Sequence, residues 1–420
     1  MGVGSEFGVR SSEIGFKNPQ SAIRSPKLLS VNPLKTSPAL GAAYVLQGIK
    51  RAVPIFHAAP GCTFLGKVLL TQHLREPVGL LGTDIKEMPV IMGGLEELEK
   101  RIIEVYEKFK PSLIGIIGTA LSEVRGEDIR LKIKDFKSSI VNSQSSIVYI
   151  PCPDYMGGFS DGYGTAVKRI VEKLPAGGPK ILRQINLLPS PSITPGDVDE
   201  IKDMIDGFGL RAIVLPDLSV SMDGSKDKFS NLPHDGTSLE DIALMGRSTA
   251  TIAIGKWAKG AGEILKENFG IPLYFTDTIM GLEAADNFVM LLSRLSRAEP
   301  PHYLKRWRKR LVDGMVDAHL IMAEKRVVIG LDGDISSWIG AFCSEMGMIP
   351  ISDLEDLEDA AQDADLIITN SHGKEISDRL GIPLLRMGFP VFDRFGETLK
   401  VRVGYRGSLN LLFEMANIFI

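Results

Sequence analysis

The feature that most constrains the fold of this chain is a recurring unit of sequence. Each unit has a short run of β-branched and aliphatic residues, a turn, and a segment with apolar residues at helical spacing. Such units build parallel sheets, because each helical crossover returns the chain to the same edge of the sheet. The first series predicts strands at residues 52–56, 113–117 and 147–150 and a helix at residues 95–110.

Two further series follow. The second has a strong helix-start signal, in which Thr194 is the predicted N-cap, Pro195 the first helical residue and Asp197 a carboxylate near unpaired amides. Its predicted strands are residues 181–188, 210–215 and 271–275, and its last helix is residues 301–323. The third series predicts strands at 326–331, 366–369 and 382–386 and a helix at 336–346.

The predicted fold class is therefore α/β, with three Rossmann-like domains, each a mostly parallel sheet flanked by helices. At 420 residues the chain is too long for one ordinary core, which agrees with several domains. The predicted domains are residues 31–175, 176–324 and 325–420. Residues 1–30 are rich in Ser, Gly and Asn and are predicted to be a disordered leader.

Composition excludes several classes of function. Apolar residues make up 44% of the chain, yet they form no stretch long enough to predict a membrane span. The net charge of −4 gives no general electrostatic reason to bind nucleic acid. Proteins and small molecules are the expected partners.

The three cysteines, Cys62, Cys152 and Cys343, are far apart and odd in number, which does not suggest a disulfide framework. This predicts a reducing, cytoplasmic location. Cys62 follows a predicted strand and a Pro-Gly pair, at the strand end where open parallel sheets bind ligands. Gly61 would let backbone approach a bulky inorganic group. Two interpretations stay open at this point: a metal ligand, or a small cysteine buried in a strand-helix turn.

The other motifs predict structure more readily than chemistry. Cys152 lies between two prolines and Cys343 lies in a predicted helix, where it is expected to be core. The segment from Gly157 to Gly164 is predicted to be a glycine-rich turn before a helix starting near Thr165, either a tight turn or a weak phosphate loop. The six histidines show no HxxxH spacing, which makes a zinc site improbable.

Two charged runs are predicted to be solvated surfaces. The basic run Tyr303-Leu-Lys-Arg-Trp-Arg-Lys-Arg310 falls on a predicted helix, and the acidic run spans residues 353–365. A solvated helix face is favoured for the basic run, with an anionic partner as the alternative.

Several motifs in consistent order and spacing resemble the β-type subunits of the nitrogenase component-1 family, over residues 31–400. Four of them look like successive cluster-lining segments: Val31-Asn-Pro-Leu-Lys-Thr-Ser37, His57-Ala-Ala-Pro-Gly-Cys62, Gly118-Thr-Ala-Leu-Ser-Glu123 and Pro153-Asp-Tyr-Met-Gly-Gly158. The similarity continues at Ile193-Thr-Pro-Gly-Asp197, Leu215-Pro-Asp-Leu-Ser219, residues 365–373 and residues 381–394.

The resemblance implies a metal site with most of its ligands missing. The family's catalytic β subunits supply three cysteines and a nearby serine to an eight-iron cluster. Here Ser37 stands at the first cysteine position, Cys62 matches the second, Ala120 occupies the third, and Gly158 replaces the serine. Alanine and glycine have no side-chain donor. The resemblance therefore implies one ligand, Cys62, to a [4Fe-4S] cluster shared with a partner chain, with Gly61 and Gly158 as supporting backbone.

Within the family, a single cysteine is the pattern of the cofactor-assembly branch. That branch implies a non-catalytic scaffold that forms an α2β2 heterotetramer with an α-type partner. The scaffold would mature an iron–sulfur precursor, held mainly by the partner, into the iron–molybdenum cofactor, and an iron protein would dock on it. Two alternatives remain: a catalytic β-type subunit of a nitrogenase or related reductase, and a small-molecule-binding α/β module.

Overall fold

The computed structural model describes residues 36–85, 95–124, 129, 132–133, 145–221, 232–352 and 356–420. All of them fall in one compact unit, Leu34–Ile420. The predicted leader, the start of the first cluster-lining motif and residues 353–355 of the acidic run lie outside the described residues.

The first sheet has four parallel strands in the order β2-β1-β3-β4. The strands are β1 (Ala52–His57), β2 (Leu81–Gly82), β3 (Leu113–Gly118) and β4 (Ser146–Pro151). The helices of this part are α1 (Pro38–Gln47), α2 (Pro60–Leu74), α3 (Leu95–Phe109), α4 (Ala120–Val124) and α5 (Phe159–Lys173). Strands β1 and β3 are buried throughout, which is why they appear in the sequence as continuous apolar runs.

The second sheet is also parallel, in the order β6-β5-β7-β8. Its strands are β5 (Gln184–Leu188), β6 (Arg211–Val214), β7 (Ala250–Ile254) and β8 (Leu273–Thr276). Its helices are α6 (Pro195–Gly207), α7 (Leu218–Ser221), α8 (Leu239–Leu244), α9 (Lys256–Phe269), α10 (Leu282–Ser296) and α11 (His302–Met322). The start of α6 follows the prediction, since the Thr194 hydroxyl accepts the Asp197 N–H at 3.0 Å.

The third sheet has the order β10-β9-β11-β12 and is parallel as well. Its strands are β9 (Arg326–Gly330), β10 (Ile349–Ser352), β11 (Leu366–Thr369) and β12 (Leu384–Arg386). Its helices are α12 (Asp334–Glu345), α13 (Leu357–Ala360), α14 (Lys374–Leu380) and α15 (Gly404–Ala416). All three sheets therefore share one strand order, in which the chain direction switches between the first and third strand. The predicted three-sheet α/β fold is confirmed.

Some elements differ from the predictions. Strands β2, β7 and β10 were not predicted, and β5 begins at Gln184 rather than at residue 181. Arg183 has a left-handed backbone (φ 62°), which breaks the extended run just before β5. The hydrophobic cores are not confined to single sheets, since one cluster of buried side chains contains residues of both the second and the third sheet. One sheet falls within each predicted domain range, and the domain boundaries themselves remain predictions.

The predicted glycine-rich turn before Thr165 is wrong. Helix α5 begins at Phe159, so that Gly162 and Gly164 lie inside it. A Cβ on Gly162 would stand 1.7 Å from the Pro38 carbonyl oxygen, and one on Gly41 would stand 1.8 Å from the Phe159 carbonyl oxygen. These glycines let α1 and α5 cross at backbone contact, which is a packing role rather than a phosphate cradle.

Candidate metal-cluster site

Cys62 lies in the first turn of α2, directly after β1. Helix α2 begins at Pro60, and the Cys62 N–H donates to the Ala59 carbonyl at 3.2 Å. Pro60 and Gly61 are thus helical residues, not a separate turn. Proline suits a first helical position because its missing N–H would be unpaired there anyway. The thiol of Cys62 is exposed, which removes the alternative of a small buried cysteine.

The carboxyl edge of the first sheet gathers the positions singled out by sequence. Cys62 follows β1, Ala120 is the first residue of α4 after β3, and Gly158 is the N-cap of α5 after β4. These three strands are neighbours in the sheet. Cys62 and Ala120 follow the two strands between which the chain direction switches, and such a point opens a crevice in parallel sheets. The geometry therefore offers a ligand site at this edge.

Ser37 belongs to the same edge through a hydrogen bond. It is the N-cap of α1, and its Oγ accepts the Ala39 N–H at 3.3 Å. Its hydroxyl donates to Asp154 Oδ1 at 2.5 Å. Asp154 begins the short 3-10 turn Asp154–Met156 that follows β4. The Ser37 hydroxyl is thus engaged in hydrogen bonds at this edge and does not present a free oxygen as a metal ligand.

The two glycines proposed as supporting backbone have different surroundings. A Cβ on Gly61 would find no atom within 4 Å, so that the space beside Cys62 is open. A Cβ on Gly158 would stand 2.8 Å from Asp332 Oδ2. The Gly158 N–H already donates to Asp161 Oδ2 at 2.8 Å. Gly61 can therefore admit a bulky group, whereas Gly158 packs against the loop after β9.

The other two thiols are buried, and all three cysteines lie among the described residues. Cys152 is 2% exposed at the end of β4, where burial above all, with Glu123 and Asp154, raises its pKa to about 12. Cys343 is fully buried in α12, and burial raises its pKa to about 12 as well. Its predicted place in the core is confirmed. Among the three cysteines, Cys62 is the one whose thiol is exposed to a ligand.

Hydrogen bonds hold the strand ends beneath this edge. The Thr119 hydroxyl donates to the His57 carbonyl at 2.9 Å, which ties the end of β3 to the end of β1. The His57 ring lies 3.1 Å from the Thr83 hydroxyl. Buried and satisfied polar groups of this kind fix the positions of the loops above them.

Large apolar side chains are exposed on the elements that leave the same edge, and sequence reasoning missed them. They are Phe64, Leu65, Val124, Tyr155 and Met156. In the sequence they could have been recognised as apolar residues that follow closely after three neighbouring strands, β1, β3 and β4. Exposed apolar groups in one region mark contact surfaces.

Within the described residues, no three His, Cys, Asp or Glu side chains come together as a metal-binding group. No helix in the same residues is long and apolar enough to cross a bilayer.

The three equivalent parallel sheets, with a lone exposed thiol at the carboxyl edge of the first, define an α/β protein with a candidate cluster-ligand site. The chain belongs to the nitrogenase component 1 type oxidoreductase family, whose model matches residues 37–352 and 351–420. The resemblance stated from the motifs is thereby confirmed.

The relatives agree over nearly the whole length. The chain is 37% identical to the nitrogenase iron-molybdenum cofactor biosynthesis protein NifN of Nostoc sp., over 94% of each chain. It is 38% identical to NifN of Rhodobacter capsulatus, over 94% of this chain and 92% of that one. Among solved structures, a chain of nitrogenase Cp1 at pH 6.5 superposes with a TM-score of 0.88 at 27% identity, covering 94% of both chains.

Proposed function

We propose that this chain is a NifN-like subunit of a scaffold complex on which a precursor iron–sulfur cluster is matured into the nitrogenase iron–molybdenum cofactor. The full-length similarity to cofactor biosynthesis proteins supports this role. The observation that carries it is the one exposed thiol, Cys62, at the carboxyl edge of the first sheet. The motif resemblance implies that Ser37, Ala120 and Gly158 stand at this edge in place of thiol and hydroxyl ligands. The subunit is non-catalytic in this proposal and works in the reducing cytoplasm.

Cys62 would be one ligand of a [4Fe-4S] cluster. Such a cluster needs four thiolates or substitutes for them. Cys152 and Cys343 are buried, which keeps their thiols from the exposed edge, and burial raises the pKa of both thiols. The remaining ligands must then come from another chain. The open space at Gly61 fits a cluster that approaches the first turn of α2 closely.

The partner in this proposal is a NifE-like α-type subunit, in an α2β2 heterotetramer. The exposed apolar side chains around the edge support a protein contact there, since an inter-subunit cluster requires an interface beside Cys62. The partner would hold the cofactor precursor for the most part. The nitrogenase iron protein and a donor of the precursor would dock on the assembled complex.

The test is iron content and EPR of the anaerobically purified complex, for the wild type and for Cys62→Ala. We expect the cluster signal to be lost or altered in Cys62→Ala and kept in the matched control Cys343→Ala. The control also removes one thiol, but Cys343 is buried in α12, away from the carboxyl edge of the first sheet. If the iron content and the EPR signal are unchanged in Cys62→Ala, the cluster role is rejected and the small-molecule-binding alternative is favoured.

A further inference from the structure

A pocket of about 440 Å³ opens beside α5, between elements of the first and second sheets. Pro38 contributes to its wall from the start of α1, Cys152 from the residue after β4, Thr165 from α5 and Trp257 from the first turn of α9. Pockets of this volume hold small molecules. Cys62 is not among the lining residues, so that the proposed iron ligand plays no part in this pocket.

Helix crossings at backbone contact fix the walls of the pocket. Gly162 of α5 lies against the Pro38 carbonyl, as described for the crossing of α1 and α5. Gly164 faces α9 instead, and a Cβ there would stand 3.1 Å from the Trp257 carbonyl oxygen. Because α5 is held on both sides, the pocket is formed before a ligand binds, which lowers the entropic cost of binding.

Two lysine side chains line the pocket, Lys168 from α5 and Lys256 from α9. The Lys168 side chain lies across Gly260, where a Cβ would stand 2.1 Å from its Cε and 2.6 Å from its Nζ. The Lys256 Nζ lies 5.0 Å from the centroid of the Trp257 ring. Neither lysine has an ion pair with a carboxylate in the described part of the chain. Two ammonium groups at one pocket are thus without a counter-charge from the same residues.

The carboxylates at the pocket are already engaged. Asp161 lies in the wall, and its Oδ2 accepts the Gly158 N–H at 2.8 Å. Beside the first turn of α9, Asp334 accepts the Ser190 hydroxyl at 2.7 Å and the Lys256 N–H at 3.4 Å. The wall of the pocket therefore carries two positive charges and one negative charge, which favours an anionic ligand.

The apolar part of the wall decides the class of anion. Pro38, Pro151, Met156 and Trp257 line the pocket beside the two lysines. A hydrated inorganic oxyanion gains nothing from such surface, whereas hydrocarbon gains about 25 cal/mol for each Å² that is buried. An inorganic oxyanion would also leave most of the 440 Å³ unfilled. An organic acid with two carboxylates matches both the charge and the apolar wall.

We propose that this pocket binds a small organic dicarboxylate, with its carboxylates on Lys168 and Lys256 and its hydrocarbon part against Trp257. The ligand would join α5 of the first sheet to α9 of the second. Because it binds the folded chain, it should raise the thermal midpoint of unfolding. The inference goes beyond the proposed function and uses no iron ligand, so that the two can fail separately.

The first experiment is isothermal titration calorimetry of the full-length chain with glutarate, at constant ionic strength. We expect Lys168→Met/Lys256→Met to weaken glutarate binding at least about tenfold, since both charge partners are lost. The matched control is Lys259→Met/Lys266→Met, which removes the same charge from exposed positions of α9 that do not line the pocket. The control should bind glutarate as the wild type does.

Three outcomes of this titration would overturn the proposal. They are a wild type that does not bind glutarate at millimolar concentration, a Lys168→Met/Lys256→Met variant that binds as the wild type does, and equal weakening in the control variant. Iron content is measured in the same samples, and its loss in Cys62→Ala with glutarate binding retained is the result expected for two independent sites.

Sulfate separates an organic-acid site from a general anion site, because it carries the same charge as glutarate without the hydrocarbon. At the same ionic strength it should bind at least about tenfold more weakly, since the methylene groups of glutarate bury apolar surface. If sulfate binds as tightly as glutarate, the pocket takes inorganic anions and the proposed class of ligand is wrong.

Tryptophan fluorescence locates the bound ligand. The chain has three tryptophans, and Trp257 is the one that lines this pocket. Glutarate should change the emission of the wild type, and Trp257→Phe should lose this change while it keeps most of the affinity. An emission change that persists in Trp257→Phe would place the ligand near Trp307 or Trp338 and would reject this pocket.

Discussion

The hydroxyl of Ser37 donates a hydrogen bond to the carboxylate of Asp154, across 117 positions of sequence. The motif resemblance implies that Ser37 stands at a position where the catalytic β-type subunits of the family carry a cluster cysteine. In this chain the residue instead ties the start of α1 to the turn after β4. That turn exposes Tyr155 and Met156 beside the proposed cluster edge. The Ser37 hydroxyl is therefore engaged in a structural hydrogen bond.

Ser37→Ala should lower the free energy of unfolding by about 1 to 2 kcal/mol, because it removes both a helix cap and the bond to Asp154. Chemical denaturation measures the change. Ser37→Thr, which keeps the hydroxyl, should recover most of it. The matched control is Ser344→Ala, since the exposed Ser344 hydroxyl bonds only within its own helix, to the Gly340 carbonyl. Equal effects at both positions would reject a special role for the Ser37–Asp154 bond.

Gly61→Ala should separate fold stability from cluster binding. The added methyl meets no neighbouring atom, and alanine favours a helix, so the iron-free chain should gain about 0.5 to 1 kcal/mol. The same methyl would occupy the space open to a cluster, and we expect iron per complex to fall. Gly340→Ala in α12, where a Cβ would stand 3.7 Å from Ile329 Cδ1, is the control and should leave iron unchanged. Full iron content in Gly61→Ala would show that the cluster does not use this space.

The apolar patch at the cluster edge should be required for the α-type partner. Leu65→Asp/Tyr155→Asp places charge on two exposed apolar positions, and we expect loss of the partner on co-purification. Val316→Asp on α11 is the matched control and should retain it. The proposed location of the interface is wrong if Leu65→Asp/Tyr155→Asp keeps the α-type partner and Val316→Asp loses it.

His73 should make stability fall in mild acid. It is buried, and burial lowers its pKa from 6.5 to about 4, while its Nδ1 accepts the Val391 N–H at 3.1 Å. Below pH 6.5 the unfolded chain binds a proton that the folded chain excludes, so stability is lost as the pH falls towards 4. Near pH 4 the loss in the free energy of unfolding that is due to His73 amounts to about 3 kcal/mol.

Thermal or urea unfolding between pH 7 and pH 4.5 measures this dependence. His73→Gln, which can still accept the Val391 N–H, should flatten the profile. His302→Gln, at an exposed histidine that begins α11, is the control and should follow the wild type. Parallel profiles for the wild type and His73→Gln would contradict the prediction.

The ion pair of Arg402 with Glu397 should be far more important to stability than the surface pairs. Both side chains are 4% exposed, whereas Lys374 and Asp378 are 51% and 61% exposed. Glu397→Gln leaves a buried guanidinium without its counter-charge, which should cost about 3 to 5 kcal/mol. Asp378→Asn should cost less than about 1 kcal/mol. Similar unfolding midpoints for the two variants would show that Arg402 finds another partner.

Local sequence was sufficient for the general architecture because each βα unit carries its own pattern. Buried parallel strands are continuous apolar runs, and the start of α6 is signalled within four residues, from Thr194 to Asp197. Strands β2, β7 and β10 escaped prediction, although β7 is buried throughout. Strand β2 has two residues and β10 four with little burial, so neither carries a strong pattern.

The glycines from Gly157 to Gly164 were misassigned for a non-local reason. Their composition is typical of a turn, and the helix that contains Gly162 forms because α1 crosses it at backbone contact. That crossing joins Pro38 to a residue more than a hundred positions away, where no local propensity indicates it.

The sequence by itself determined the fold class and the family and singled out Cys62 as the candidate ligand, since these follow from local periodicity and from motifs in a fixed order. Only the tertiary structure decided that Cys62 is exposed while Cys152, directly after β4 of the same sheet, is buried. It also decided that Ser37 is hydrogen-bonded to Asp154 and that Val316 and Leu320 of α11 are exposed. The physical reason is that exposure and pairing depend on which distant segments pack against a side chain, and neither composition nor periodicity records those contacts.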